Sequence, residues 1–251
     1  MTINWPIKAS TLPGTPSSIY VFLDSAQHAL MRGGINLAPA TFDELVAVNE
    51  RNSDTWAPLF PTYHPAFSRL RDGNAICLFG RDQSGDVIST QVARLFDWSL
   101  TNYRTEAETL RLVYDDPGRD AAPHERCIVT AASAERLRGR IAYTGGVWYR
   151  PDYRGRGLQA IVARIARALG VVLWNIDFAV ANVAEPTIRR GFHQRIGHCH
   201  IEWSVNFLNT RLGSFNSALL WMDRGEIVDD LAQFSARQLP QIDSAVKDSV
   251  S

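Results

Sequence analysis

Arg154-Gly-Arg-Gly157 alternates two guanidinium groups with two residues that lack a side chain, and a helical run follows at once. Glycine takes positive φ readily and, without Cβ, lets an anion come close to the backbone. The first amides of the following helix are unpaired donors at the positive end of its dipole, which suits a phosphate or pyrophosphate. Arg154 and Arg156 can add charge-assisted bonds to phosphate oxygens. From Leu158 the apolar residues Ile161, Val162, Ile165 and Leu169 recur at helical spacing, with Arg164 and Arg167 on other faces. An isolated Arg-Gly-Arg-Gly would be a solvated basic turn. The helix that completes the anion site decides between the two readings.

His198-Cys-His200 is the other run with ligand chemistry. Alternate residues along a strand share a face without closing a site, and no fourth ligand is in view, so no metal is expected. The strand before the glycine turn carries no carboxylate. Glu202 and Asp177 on neighbouring strands are the acids within reach, and each reads better as a structural or surface acid than as a base.

The elements that must hold this turn are legible in outline. Residues 1–18, rich in Pro, Ser and Thr, read as an irregular arm, and Asp24 to Arg32 as a short helix stopped by Gly33-Gly34. Ile35 to Ala38 is a strand, and Thr41-Phe-Asp-Glu44 is a capping box opening a helix through about Asn49. Pro65 is expected to open another helix, ending near Asp72-Gly73-Asn74. Ala75–Gly80 and Val87–Phe96 are strands joined by the hairpin signal at Asp82 to Asp86. Residues 97–138 exceed a hairpin connection. They hold a second capping box at Thr105 to Glu108, breaks near Pro117 and Pro123, an apolar run around Ile128, and a helical turn at Ser133 to Leu137. Such an insertion is a substrate wall or lid, or else a packing elaboration or dimer contact.

Arg140 to Tyr149 is the fourth strand, and its interior Gly145-Gly146 marks a bulge or a close backbone approach. Ile176 to Ala181 is the fifth. In 184–196, Ile188, Phe192 and Ile196 share one helical face. His198–Phe207 and Ala218–Met222 are the last strands, Glu226–Phe234 a terminal helix, and the segment from Gln241 a frayed tail.

The stretch from Val147 to Gln159 resembles the signature of the GNAT superfamily of acyl-CoA-dependent N-acetyltransferases. Tyr149-Arg-Pro151 stands where that family carries Val-x-Pro, and Gln159 where its loop ends in Gly or Ala. The resemblance covers roughly residues 34–223 and is strongest over 140–198. It implies an α/β fold: a mixed, mainly antiparallel central sheet with splayed fourth and fifth strands, flanked by helices. Residues 34–225 would be that domain, with 97–138 inserted, 1–33 as an extension, and 226–251 as a helix and tail.

The resemblance further implies acetyl-CoA, or another short acyl-CoA, as co-substrate. Arg154, Gly155, Arg156, Gly157, Leu158 and Gln159 would hold the pyrophosphate, and Val147, Trp148 and Tyr149 would offer the edge to pantetheine. Trp148 and Tyr149 are equally ordinary core aromatics. Asn182 would reach the pantetheine amides, or else serve as a turn or cap residue. His193 stands where many relatives carry the tyrosine that protonates the departing thiolate; imidazole can do that, or be a plain surface histidine. The implied reaction moves an acetyl or short acyl group to a primary amine, on a small molecule or a peptide, by direct attack. The same fold without catalysis is an acyl-CoA-binding or regulatory module, which Gln159, the absent strand carboxylate and His193 would suit.

Composition bounds the rest. The 251 residues, 45% hydrophobic, suffice for a large core, and 26 basic against 26 acidic residues give no field that points to nucleic acid. Cys77, Cys127 and Cys199 are far apart and odd in number, as reduced thiols are, and no apolar segment is long enough to span a bilayer. A cytoplasmic location is expected. Exposed sheet edges leave a homodimer open. Trp56, Trp98, Trp203 and Trp221 are an aromatic acceptor pocket or core, and fold alone does not name the acceptor.

Overall fold

The computed structural model describes residues 15–237. Along the chain come α1 (Ser17–Arg32), β1 (Asn36–Pro39), α2 (Phe42–Arg51), β2 (Ala75–Arg81), β3 (Val87–Trp98), α3 (Tyr103–Glu108), α4 (Pro117–Asp120), β4 (Arg126–Val129) and β5 (Gly139–Tyr149). There follow α5 (Leu158–Trp174), β6 (Phe178–Ala184), α6 (Glu185–Arg189), α7 (Phe192–Ile196), β7 (His200–Thr210), β8 (Gly213–Asp223) and α8 (Arg224–Arg237). The strands join in one sheet, in the order β1-β2-β3-β5-β6-β8-β7-β4. Every neighbouring pair is antiparallel except β5 with β6. That parallel pair is registered at only three positions, Ile141↔Phe178, Ala142↔Ala179 and Tyr143↔Val180. Beyond Tyr143 the two strands part. This is the expected mixed, mainly antiparallel sheet with one splayed pair.

Each face of the sheet has its own core, as a sheet buried on both sides requires. On one face α1, α5 and α8 pack through Phe22, Leu30, Ile165, Leu169, Leu231 and Phe234. On the other, α2, α3 and β4 enclose Leu45, Tyr63, Tyr103, Leu112, Tyr143 and Phe207. A smaller cluster joins α6 and α7 to the sheet through Ile188, Ile196, Ala218 and Leu220. The described parts of both flanking segments, α1 and α8, therefore belong to the central body.

Several sequence expectations shift. The first helix starts at Ser17 rather than Asp24, because Ile19, Phe22 and Leu23 continue the buried stripe of Ala26 and Leu30. The expected irregular arm lies outside the described residues up to position 14, as does the tail from Gln241. Thr41 and Glu44 form the expected capping box. Pro65 opens no helix. A 3-10 turn at Pro61–Tyr63 and further turns occupy this region, and the buried Arg94 guanidinium donates to the Thr62 carbonyl and the Ser68 hydroxyl. Asn102, not Thr105, caps α3, accepting from the Thr105 amide, so that helix starts two residues before Thr105. The expected helical turn from Ser133 to Leu137 is a hydrogen-bonded turn over residues 132–136, short of a helix. The apolar run around Ile128 is a strand that pairs with β7 at the far edge. The helical face at 184–196 is split into two helices at Gly191, whose φ is +72°.

Candidate functional site

Two glycines explain why β5 leaves β6. The β3–β5 register passes from Thr90↔Trp148 to Val92↔Gly145, so Gly146 and Val147 stand opposite the single residue Gln91, one residue in excess, and Gly146 has φ +58°. A bulge of this kind bends and twists the strand that carries it. A Cβ at Gly145 would lie 2.5 Å from the Tyr63 hydroxyl, and one at Gly146 would lie 2.5 Å from Val92. Only glycine fits at either position. The separation opens a cavity of about 750 Å³ between the two strands, extending to the start of α5.

At that start, Pro151–Tyr153 form a 3-10 turn, and Gly155 and Gly157 take φ of +82° and +77°. The amides of Gly155, Arg156 and Gly157 make no backbone hydrogen bond within the turn. A Cβ at Gly155 would meet nothing within 4 Å, and Gly155 and Gly157 both line the cavity. They stand at the N-terminus of a 17-residue helix. Free donors, the positive dipole end and open space are what a phosphate group requires.

Val147, Trp148, Tyr149, Arg154, Gly155, Gly157, Gln159 and Asn182 all line the cavity. Arg156 does not; its guanidinium lies 4.5 Å from the Tyr153 ring centroid. Leu158 turns its side chain into the α5 core, leaving only its amide toward the turn. His193 is not among the lining residues either, although Phe192, Arg195, Ile196 and His198 around it are. Asn182 lines the wall with its oxygen already engaged. Its Oδ1 accepts from the hydroxyls of Tyr103 at 2.7 Å and Tyr143 at 2.8 Å, while its amide donates to Ser217. Asn182 thus fastens the 97–138 insertion, through Tyr103, to the point where the strands part.

Sequence reasoning missed several lining groups. Gln91 is buried, donates to the Gly145 and Val92 carbonyls, and keeps its Oε1 without a partner. Arg167 Nε and His198 Nε2 are likewise buried and unpartnered at this wall, as is the hydroxyl of Tyr149, which the sequence had named. A glutamine in a strand buried from Ile88 to Arg94 was the available signal for the first. Arg190 and Arg195 join Arg154 and Arg167, so the wall carries four arginines and, among the described residues, no carboxylate.

Burial holds His198 neutral well below the ordinary histidine range, and the neighbouring Arg167 and Arg164 push the same way. Arg167, 1% exposed, is itself pulled down to about 10 by burial, against the attraction of Asp230. Burial likewise raises the Tyr63 and Tyr149 hydroxyls, which remain protonated donors.

Residues Thr55 to Ala57 strap the cavity mouth. Arg154 Nη2 donates to the Thr55 carbonyl at 3.2 Å, and Trp148 Nε1 donates to the Thr55 hydroxyl at 3.2 Å. Trp56 stacks on Trp148, with ring centroids 5.7 Å apart. Away from the cavity, Glu226 gathers with Cys199 and His200, ligand atoms within 4.8 Å of one another. That carboxylate already bonds His200 at 2.5 Å and accepts from the Asp223 amide at 2.8 Å.

Acetyltransferases are among the solved structures that resemble this architecture in part. An aminoglycoside acetyltransferase in complex with coenzyme A and kanamycin aligns at TM-score 0.41 and 14% identity, over 76% of this chain and 96% of its own. Spermidine N-acetyltransferase from Vibrio cholerae aligns at 0.44 and 10%, over 77% and 95%. NAA60 from Arabidopsis thaliana, in complex with acetyl-CoA, aligns at 0.43 and 15%, over 76% and 99%. No protein-family profile and no curated protein matches the chain. With scores and identities this low, the likenesses decide nothing about its chemistry; the cavity must.

Proposed function

We propose that this protein is a GNAT-type N-acyltransferase that moves an acetyl or other short acyl group from acyl-CoA to a primary amine. One observation carries this reading. The β5–β6 pair opens after three registered positions into a cavity that runs to a glycine turn with unpaired amides at the start of α5.

In this reading the diphosphate lies on the amides of residues 155–159, with Arg154 turning from Thr55 to meet it. The extended pantetheine runs along the unpaired edge of Val147, Trp148 and Tyr149. Gln91 Oε1, buried without a partner, accepts from one of its amides. Acyl-CoA supplies the thioester. The chain's own residues orient it, exclude water and polarise the carbonyl through strand amides. The amine nitrogen attacks the carbonyl carbon, the C–N bond forms as C–S breaks, and the proton leaving nitrogen ends on the departing thiolate. His193 is not among the residues that line the cavity, and this reading assigns it no step.

Free, buried Cys77 and Cys127 support a reducing compartment such as the cytoplasm, and no helix of the described residues is long and apolar enough to cross a membrane. The short edge strands β1 and β4 are where a homodimer would form.

Calorimetry with CoA tests the reading: binding is expected, and its absence at millimolar ligand rejects it. Gly157→Val should abolish that binding, because a β-branched residue at this φ costs about 1–3 kcal/mol and its side chain crowds the amides. A second reading, an acyl-CoA-binding module without turnover, is favoured by the lack of a carboxylate at the wall. Thiol release from acetyl-CoA in the presence of amines separates the two.

A further inference from the structure

The cavity that would hold acyl-CoA also limits which amines can meet it, so any choice of acceptor rests on the acyltransferase reading. Its wall carries Arg154, Arg167, Arg190 and Arg195 and, among the described residues, neither Asp nor Glu. An acceptor bearing several ammonium groups finds no counter-charge there. A simple alkylamine meets a second obstacle. With a pKa near that of lysine, about 10.4, it arrives as an ammonium ion and must lose a proton before its nitrogen can attack. The imidazole at the wall, His198, lies 3.4 Å from the Arg167 guanidinium and close to Arg164. A proton taken up there would stand beside two cations in a buried site.

The mouth has a different character. Trp56 and Ala57 belong to the strap that packs on the face opposite α5, and Trp56 lies nearly parallel to Trp148 at 17°. Thr55 is committed there to Trp148 and Arg154. The Trp56 and Trp148 rings offer an incoming molecule a flat aromatic surface, flanked by the Arg154 guanidinium and with no carboxylate among the lining residues, which suits a ring better than a cation-bearing chain.

We propose that the acceptor is an uncharged aromatic monoamine of the aniline type, seated against Trp56. Its lone pair is delocalised into the ring, so the nitrogen is already neutral at pH 7 and needs no enzymatic base before attack. As the C–N bond forms and C–S breaks, the proton it then sheds passes to the thiolate directly or through water.

The test uses the full chain, with thiol release from acetyl-CoA at pH 7 and two probes, 4-methoxyaniline and spermidine. The expected kcat/KM for 4-methoxyaniline exceeds that for spermidine by about a hundredfold, and its rate stays flat from pH 7 to 9. Trp56→Ala should raise KM for 4-methoxyaniline about tenfold, and Trp56→Phe, which keeps a flat ring, should restore most of it. Preference for spermidine overturns the inference, as does a rate rising about tenfold per pH unit. CoA binding without thiol release from either amine overturns it too. Failure to bind CoA at all removes the acyltransferase reading beneath it, and the calorimetry recognises that case separately.

Discussion

At position 145 the side-chain requirement is absolute, because the Tyr63 ring and hydroxyl occupy the place a Cβ would take, 2.5 Å away. Gly145→Ala should therefore destabilise the protein by about 1–3 kcal/mol in urea unfolding, as overpacking does in a rigid core. His193 gives the opposite expectation. Standing off the cavity wall, it should tolerate alanine with kcat changed less than about twofold. His198 makes stability depend on pH. In the unfolded chain its imidazole protonates near pH 6.5, whereas in the fold burial, then Arg167, Arg164 and His193, hold it neutral to well below that. The unfolded state thus binds the extra proton, and stability falls as pH drops below about 6.5, by at most about 1.4 kcal/mol per unit, until the folded pKa is reached. Urea unfolding of His198→Asn between pH 7.5 and 5.5 should show a shallower slope than the wild type. Equal slopes would refute it. At this scale the glycines and Arg154 were legible because backbone freedom and phosphate chemistry are local properties. The two tyrosines that hold the Asn182 oxygen were not legible, since one of them lies 79 residues away in sequence.

Among the elements, α5 shows most clearly where periodicity stops informing. Its apolar positions predicted the helix correctly, but Arg164 and Arg167, placed on other faces by spacing, are buried. Both grip Asp230 on α8, Arg164 at 2.8 Å and Arg167 at 3.1 Å, and Arg164 also lies over the Phe234 ring at 4.0 Å. A partner more than sixty residues ahead leaves no trace in a helical repeat. Removing it should be severe, since it strands two buried guanidiniums. Asp230→Ala is expected to lose about 3–5 kcal/mol in chemical denaturation. A loss typical of an exposed pair, below about 1 kcal/mol, would show that the cluster is hydrated. Helix α3 shows a nearer limit: both Asn102 and Thr105 can cap, and only the tertiary fit of Tyr103 decides the start.

For the whole molecule, strand content and the hairpin were readable, whereas the order in which strands assemble was not. The segment 97–138 was left open between a lid and a packing elaboration; its described contacts are those of core. Tyr103, Leu112, Val113 and Tyr114 are fully buried, and β4 extends the sheet beyond β7. Replacing residues 103–136 by a short linker should therefore abolish cooperative thermal unfolding. Survival of a sharp transition would make the segment an appendage.

Most sheets end at two outer margins. Here a third runs through the middle, where Thr144 to Tyr149 have no strand beside them on the β6 side. An unmatched backbone row on the outside of a protein invites pairing with other chains and, eventually, fibres. Sunk between α5, α7 and the Thr55–Ala57 segment, this one is within reach of a slender extended molecule and beyond the reach of a neighbouring protein's strand. The fold can keep reactive main chain on offer permanently without becoming adhesive.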